Sequence, residues 1–488
     1  MRVAWRLRPR TLDGREILIA AGVAIGTALI AYAGMQKLGT VGLLAPLALG
    51  LVVVLLLRPV AMTVCVVGLV IVCEGSVFGL FHFTSALYSH ATVLNVMVAL
   101  VAVSVGLDMM RRPRRARLPA SLKIALAMLA LAMVVGVATA HDAGVAVGKA
   151  LHSENLLAYL LVLPAVVANL ELDRRRVKLV LGGAFGLAIV KAMLGLMEVF
   201  GGYGSTIEGS SKLSYYEPTA NWLIMIAVLG VFAALVSGVR PPLWMLLGTP
   251  LLIASLVLSY RRSFWIAAVL GLLLVVLLAL SPTRRRILVP VGLLVVAAIW
   301  LLGSINFQSQ SPLVRRFASL APSSLTTNLE DRYRLDERAN VLGEIRANPI
   351  TGLGIGVPWA AAFRPLAVEH VEGRQYVHFV ALWFWLKLGI LGLIAYLMLL
   401  FGGAVTAWRV WRTSHEPMLR AFGLASLCGF AGLTVIETTA SFTGVDARFT
   451  VLLGAQLGLL VLLARADRGA HPASRAFEQA LSPQPSRV

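Results

Sequence analysis

The chain has 488 residues, 59% of them apolar, with a mean hydropathy of +0.85 and a formal net charge of +20. This composition excludes a water-soluble globular protein, and the continuous rather than alternating apolar runs exclude a transmembrane β-barrel. We therefore predict an all-α integral membrane protein with about fourteen transmembrane helices and one large external loop containing short helices.

The predicted membrane spans leave one long polar segment, residues 305–376. In chain order the spans are 16–34, 41–57, 60–80, 91–107, 121–140, 154–170, 177–200, 220–239, 243–260, 263–281, 287–304, 377–402, 419–438 and 446–464. The first span follows an arginine-rich start and precedes no small-residue cleavage site, so we expect it to be retained. The chain then divides into an N-terminal bundle at 1–200, central helices at 201–304, the loop at 305–376, C-terminal helices at 377–464 and a tail at 465–488.

Lysine and arginine concentrate in the short loops on one side of the predicted spans, for example at 111–117 and 174–178. The positive-inside rule places this basic side, and with it both termini, in the cytoplasm. The loop at 305–376 is therefore predicted to lie on the outer face. The cytoplasmic clusters abut spans and lack interleaved aromatic residues, so they indicate membrane insertion and anionic lipid rather than nucleic acid.

Arginines on the predicted outer face need a separate explanation, because the same rule disfavours them there. An anionic ligand would supply one. These residues are Arg261, Arg262, Arg315, Arg316, Arg332, Arg334, Arg338, Arg346, Arg364 and Arg374.

The sequence offers few other chemical motifs. The three cysteines all lie in predicted spans, and the eight histidines are scattered without metal-ligand spacing. Walker A, dinucleotide-binding and nucleophile-elbow motifs do not occur in the sequence. We expect neither a metal nor a cofactor.

A helix is predicted within the polar loop at residues 329–347. Thr327-Asn328-Leu329-Glu330 has the form of a capping box, which starts a helix by satisfying its first backbone amides. Helical spacing then gives an apolar stripe, and Asn348-Pro349 ends the pattern. The stripe consists of Leu335, Ala339, Leu342 and Ile345.

Three glycines, a histidine and an arginine pair each allow two interpretations. Gly352, Gly354 and Gly356 favour either a flexible turn or a close approach of the backbone to a ligand or another segment. His378, which opens the next predicted span, is either an interfacial histidine or a catalytic one. Arg261 and Arg262 either anchor two spans by snorkelling or bind a ligand.

Taken in order, these motifs resemble the O-antigen ligase and polysaccharide polymerase family of bacterial membrane proteins. The corresponding stretches are Ser259-Tyr260-Arg261-Arg262-Ser263-Phe264-Trp265, then Arg338, then Pro349-Ile350-Thr351-Gly352-Leu353-Gly354, then His378, then Leu388-Gly389-Ile390-Leu391-Gly392. The resemblance covers roughly residues 200–400. One position departs from the family pattern, because Phe379 follows the histidine where the family often has asparagine.

The resemblance implies glycosyl transfer on the outer face of the bacterial cytoplasmic membrane. The donor would be a glycan on a polyprenyl diphosphate, and the acceptor a hydroxyl of a lipid-linked sugar or glycolipid. It also implies that His378 is the general base and that Arg262, Arg261 and Arg338 bind the diphosphate without a metal. Candidates for lining the cavity are Tyr215, Glu217, Asn221, Gly352 and Gly354.

A ligase and a polymerase share these motifs and differ in the acceptor, so both remain alternatives. A second class of function is a transporter or flippase of lipid-linked or anionic solutes, since Lys191 and Lys387 are ionisable residues inside predicted spans. A non-catalytic scaffold in an export assembly is a third class, and it would not need His378.

Overall fold

The computed structural model describes residues 45–73, 86–88, 91–111, 117–201, 205–206, 213–214, 218–280, 329–366 and 374–469. The predicted spans at 16–34 and 287–304 lie outside the described residues, as do Tyr215, Glu217 and the first two residues of the predicted capping box. Each of the other predicted spans overlaps a helix.

The described part of the chain is predominantly helical. Its helices are α1 (Ala45–Leu56), α2 (Pro59–Cys73), α3 (Val93–Arg111), α4 (Ala120–Asp142), α5 (Val147–Ala168), α6 (Arg174–Gly201), α7 (Pro218–Val236), α8 (Leu243–Leu258), α9 (Arg262–Ala279), α10 (Leu329–Ala347), α11 (Val380–Thr413), α12 (Pro417–Ile436) and α13 (Ala447–Gly469). Two short antiparallel pairs accompany them, β1 (Ala86–Tyr88) with β2 (Ala91–Thr92) and β3 (Ser205–Thr206) with β4 (Leu213–Ser214).

Eight of the described helices are long and apolar enough to cross a bilayer, which fits a multi-pass membrane protein. They are α3, α4, α6, α7, α9, α11, α12 and α13. Helices α1 and α2 meet at 118° across a short break and raise the number to nine if the pair is one span. Two shorter apolar stretches, Leu156–Ala168 of α5 and Leu243–Leu258 of α8, complete the set within the described ranges.

Glycines at the helix contacts hold the bundle together. Lipid chains are as apolar as leucine, so helices in a membrane associate mainly through close packing of small residues. Gly432 of α12 packs on Ala267 of α9, where an added Cβ would lie 3.2 Å from the alanine Cβ. Gly402 of α11 likewise faces Leu122 of α4. Large apolar side chains elsewhere face outward, including Leu131, Val134, Leu179 and Phe200.

Several helix ends meet at one membrane face, which we call the loop face. Helix α10 and residues 348–366 lie here, against α4, α9 and α11. The connection from α12 to α13, residues 437–446, also belongs to this face, since the Val380 N–H donates to the Glu437 carbonyl at 3.1 Å.

Helix α10 runs from Leu329 to Ala347, the predicted range. The predicted apolar stripe is only partly correct, because Leu335 is 45% exposed while Ile345 is buried. The buried face instead carries three polar residues, Asp331, Glu337 and Asn340. Their partners are polar groups on other segments, and hydrophobic periodicity does not detect such partners.

The loop after α10 inserts its backbone into a break in α11. Gly389 has φ 67° and ψ −169°, so the helical hydrogen bond across it is lost. The loop supplies new partners to the two backbone groups of α11. The Leu353 N–H donates to the Leu386 carbonyl at 2.6 Å, and the Ile390 N–H donates to the Ile350 carbonyl at 3.2 Å. Both backbone groups are thus satisfied by a segment distant in sequence.

Gly389→Ala is expected to lower the free energy of unfolding by at least about 2 kcal/mol. The left-handed conformation disfavours alanine, and the new Cβ would lie 1.9 Å from the Ile350 carbonyl oxygen. Thermal unfolding in detergent measures the effect. The matched control is Gly106→Ala in the regular helix α3, where the added Cβ meets nothing within 4 Å. We expect that control to be neutral or to gain up to about 1 kcal/mol, so equal losses in both variants would contradict the role of the break.

Candidate active site

His378 lies on the loop face, two residues before α11 begins. Its Nδ1 is 3.1 Å and 3.2 Å from the two carboxylate oxygens of Glu337 in α10, and its backbone N–H donates to Glu337 Oε2 at 2.9 Å. The side chain of Glu337 is 2% exposed and that of His378 is 18% exposed. The carboxylate is therefore buried beneath an imidazole that still reaches the surface.

Two tyrosine rings fix the plane of the imidazole. Tyr376 packs edge-on at 4.7 Å between ring centroids, and Tyr333 of α10 does so at 5.7 Å. Together with the Glu337 contact, they hold the His378 ring in one orientation.

The 437–446 connection secures the segment that carries His378. Ser441 donates its hydroxyl to the Val377 carbonyl and its N–H to the Tyr376 hydroxyl at 3.1 Å. Glu437 is fully enclosed and accepts the Tyr396 hydroxyl and the Thr443 N–H. Burial raises the pKa of Glu437 to about 7, because the charged carboxylate is poorly solvated there.

Arg262 forms the second part of the site. It is the first residue of α9, and its guanidinium grips Asp331 of α10 through Nη2–Oδ1 at 2.9 Å and Nη1–Oδ2 at 3.2 Å. Arg334 approaches the same carboxylate at 3.4 Å. Tyr260, with φ 53°, is the one non-glycine residue of the described chain in the left-handed region, and it turns the chain into the α9 start.

The electrostatics around Arg262 favour an anion. The N-terminus of a helix carries partial positive charge, so a mostly buried arginine at that position is unfavourable by itself. Both Arg262 and Arg334 contact the Asp331 carboxylate. Two guanidinium groups and the backbone amides of a helix start provide the kind of donors that bind an anion.

Arg338 is on α10, directly after Glu337, the residue that contacts His378. Its Cζ is 5.8 Å from the centroid of the Phe379 ring, within the range of a cation–π contact. Arg338 therefore contacts Phe379, the residue that directly follows His378 in the chain.

Helix α10 aligns the two parts of the site. Asp331 of this helix contacts Arg262, Glu337 contacts His378, and Arg338 contacts the neighbouring Phe379. Arg334 contacts Asp331 from one turn further along. Asp331 and Glu337 are six residues apart, which corresponds to about 9 Å along the helix axis. The helix thus presents the carboxylate that contacts Arg262 and the one that contacts His378 at two separate points along its length.

The other predicted site residues differ in their surroundings. Gly352 and Gly354 make their close approach to other segments of the chain, Gly352 to the Leu386 carbonyl of α11 and Gly354 to Ala140 of α4. Arg261 is half-buried at the α9 start. Asn221 is buried in α7, and its side-chain amide has no hydrogen-bond partner in the described ranges.

Lys387, which had suggested a transport pathway, has a structural contact. It is 1% exposed, and its Nζ donates to the Val357 carbonyl of the loop. It thus fastens the loop to α11.

Asp331 and Glu337 are the two site residues that the sequence did not reveal. Each is an acidic residue among arginines on a helix, a pattern typical of an exposed, charged surface. Their partners lie 69 and 41 residues away, so neither pair has a local signal.

Comparison with known proteins supports the family resemblance. Residues 247–397 match a family model described as O-antigen ligase. The matched range contains Arg261, Arg262, Arg338 and His378, together with the loop that carries Gly352, Gly354 and Gly356. A search of curated proteins finds no match.

Proposed function

We propose that this chain, whose residues 247–397 form an O-antigen ligase domain, transfers a glycan from a polyprenyl diphosphate to a hydroxyl of a lipid-linked sugar or glycolipid acceptor. His378 is the general base, and Arg262, with Arg261 and Arg338, binds the diphosphate. The observation that carries the proposal is that one face of α10 holds both His378 and Arg262 through buried carboxylates.

The proposed reaction needs one proton acceptor and one stabilised leaving group. The acceptor oxygen attacks the anomeric carbon of the donor sugar while its proton passes to Nε2 of His378. The bond between the anomeric carbon and the diphosphate oxygen breaks, and its electron pair stays on the diphosphate. Because the imidazole binds Glu337 through Nδ1, Nε2 lies on the opposite side of the ring from that carboxylate.

Arginine suits the leaving group better than lysine. A guanidinium offers two parallel N–H donors that match the spacing of phosphate oxygens, and it keeps its charge at every physiological pH. Arg262 already makes this type of contact with the Asp331 carboxylate. In the proposal, the positive charge of the arginines and of the α9 start stabilises the developing diphosphate charge. Asn221, Gly352 and Gly354, with Tyr215 and Glu217, remain proposed lining residues.

The proposal places the loop face on the outer side of the bacterial cytoplasmic membrane, with both termini in the cytoplasm. Ala362, exposed in the loop, should react as Ala362→Cys with a membrane-impermeant maleimide in intact cells. Ser237, exposed after α7 at the opposite face, should react as Ser237→Cys only after the membrane is opened. Native Cys65, Cys73 and Cys428 are first replaced by alanine. Labelling of Ser237→Cys alone in intact cells would invert the proposed orientation.

A sealed-vesicle assay separates the transferase from a flippase. Vesicles hold the purified protein, a labelled glycan on polyprenyl diphosphate and a lipid-linked sugar acceptor. A transferase gives labelled acceptor and free polyprenyl diphosphate. A donor that crosses the bilayer chemically unchanged, with no labelled acceptor, would instead establish transport.

A further inference from the structure

Glu337 is a buried carboxylate whose described contacts all converge on one residue. Both of its oxygens lie within hydrogen-bond distance of His378 Nδ1, and Oε2 also accepts the His378 backbone N–H. At 2% exposure it is among the more deeply buried acidic groups of the loop face. Burying a charged carboxylate is costly unless it is paired and hydrogen-bonded, and here His378 provides these contacts.

The side-chain contact goes beyond a backbone brace. A carboxylate that only tied α10 to residue 378 would be satisfied by the backbone N–H at 2.9 Å. The additional contact to Nδ1 acts on the imidazole itself. A carboxylate that accepts Nδ1–H keeps the neutral ring in the tautomer whose Nε2 has the basic lone pair, and it favours the imidazolium that forms when Nε2 takes a proton.

We infer that Glu337 is a positioning residue for the base, setting the tautomer and orientation of His378 during transfer. This inference rests on the proposed function, because it assumes that His378 accepts the acceptor proton. Glu337 itself touches neither the substrate nor the reacting atoms.

Glu337→Gln tests the inference with little change in shape. The glutamine oxygen still accepts the His378 N–H, so the brace and the thermal unfolding temperature should be retained, while the negative charge beside Nδ1 is lost. We expect kcat to fall by about 10- to 1000-fold with KM and donor binding changed by less than about 3-fold. Glu337→Asp keeps the charge at a greater distance and should have a kcat between those of the wild type and the glutamine variant.

The matched control is Asp336→Asn, which removes the same charge from the neighbouring residue of α10. Asp336 contacts Arg364 at 3.7 Å, in a partly exposed pair, so the kcat of Asp336→Asn should stay within about 2-fold of the wild type. Purified variants are compared in the transfer assay, with donor affinity and unfolding temperature measured on the same samples.

Two outcomes overturn the inference. The first is a wild-type kcat in Glu337→Gln. The second is a kcat loss accompanied by equal losses of donor affinity and thermal stability, because that pattern indicates that Glu337 only holds the backbone of residue 378 in place. If the glutamine variant fails to accumulate, Glu337→Asp decides, because a wild-type kcat there contradicts the inference as well. The proposed function fails separately, if His378→Ala itself remains active.

Discussion

His378→Ala is expected to lower the rate of glycan transfer by at least about 100-fold while the protein still folds, inserts and binds donor. The substitution removes the group that takes the acceptor proton, whereas the proposed diphosphate ligand Arg262 lies on another helix and pairs with Asp331 rather than with His378. Initial rates of transfer from a polyprenyl-diphosphate glycan measure the loss. His370→Ala, eight residues earlier in the sequence, is the control and should be comparatively mild.

The backbone of residue 378 is held independently of its ring, which makes this test informative. Its N–H donates to Glu337, and the adjoining Val377 and Val380 are bonded to the 437–446 connection. The alanine variant should therefore keep the local structure. Near-normal transfer in His378→Ala would remove the proposed mechanism and favour the transporter.

Arg262→Lys is expected to reduce transfer by more than about tenfold, nearly as much as Arg262→Ala. Lysine keeps the charge but cannot form the two parallel contacts that the guanidinium makes with an oxyanion. Arg338→Lys should also lose activity for the same reason. A snorkelling anchor would tolerate lysine, so full activity in both lysine variants would mean that neither residue binds a diphosphate.

Exchanging the charges of Arg262 and Asp331 tests whether Arg262 is needed to bind a ligand or only to form its ion pair with Asp331. Arg262→Asp combined with Asp331→Arg restores the opposite charges across α9 and α10 but moves the cation away from the α9 start. We expect this double variant to fold and to remain inactive. Wild-type transfer in the double variant would show that the ion pair alone accounts for the need for Arg262.

Much of the fold was predictable from local pattern. Apolar runs located the helices because a membrane span must be continuous and apolar, and the start of α9 at Arg262 followed from the polar Ser259-Tyr260-Arg261-Arg262 stretch. The end of α10 at Ala347 followed from Asn348-Pro349, since proline restricts the residue before it. The ordered motifs also predicted the resemblance that the match of residues 247–397 to the O-antigen ligase family model supports.

Features that depend on distant partners were not predictable. The break at Gly389 arises because the loop supplies hydrogen bonds from Ile350 and Leu353, and the Leu-Gly-x-x-Gly motif itself reads as continuous helix. Similarly, Glu337 appears in the sequence as one more charge on a polar helix. Only the packing of α10 over His378 brings it into the site.

The fate of the oxygen that links donor sugar and diphosphate is the most direct test of the proposed chemistry. A donor carries a heavy oxygen isotope at this position, and mass spectrometry follows the label through transfer by the wild-type protein. If the acceptor attacks the anomeric carbon and the arginines stabilise the departing diphosphate, the label leaves with the polyprenyl diphosphate. Label retained in the glycan product would mean that a phosphorus–oxygen bond breaks instead, and it would contradict the roles given to His378 and Arg262.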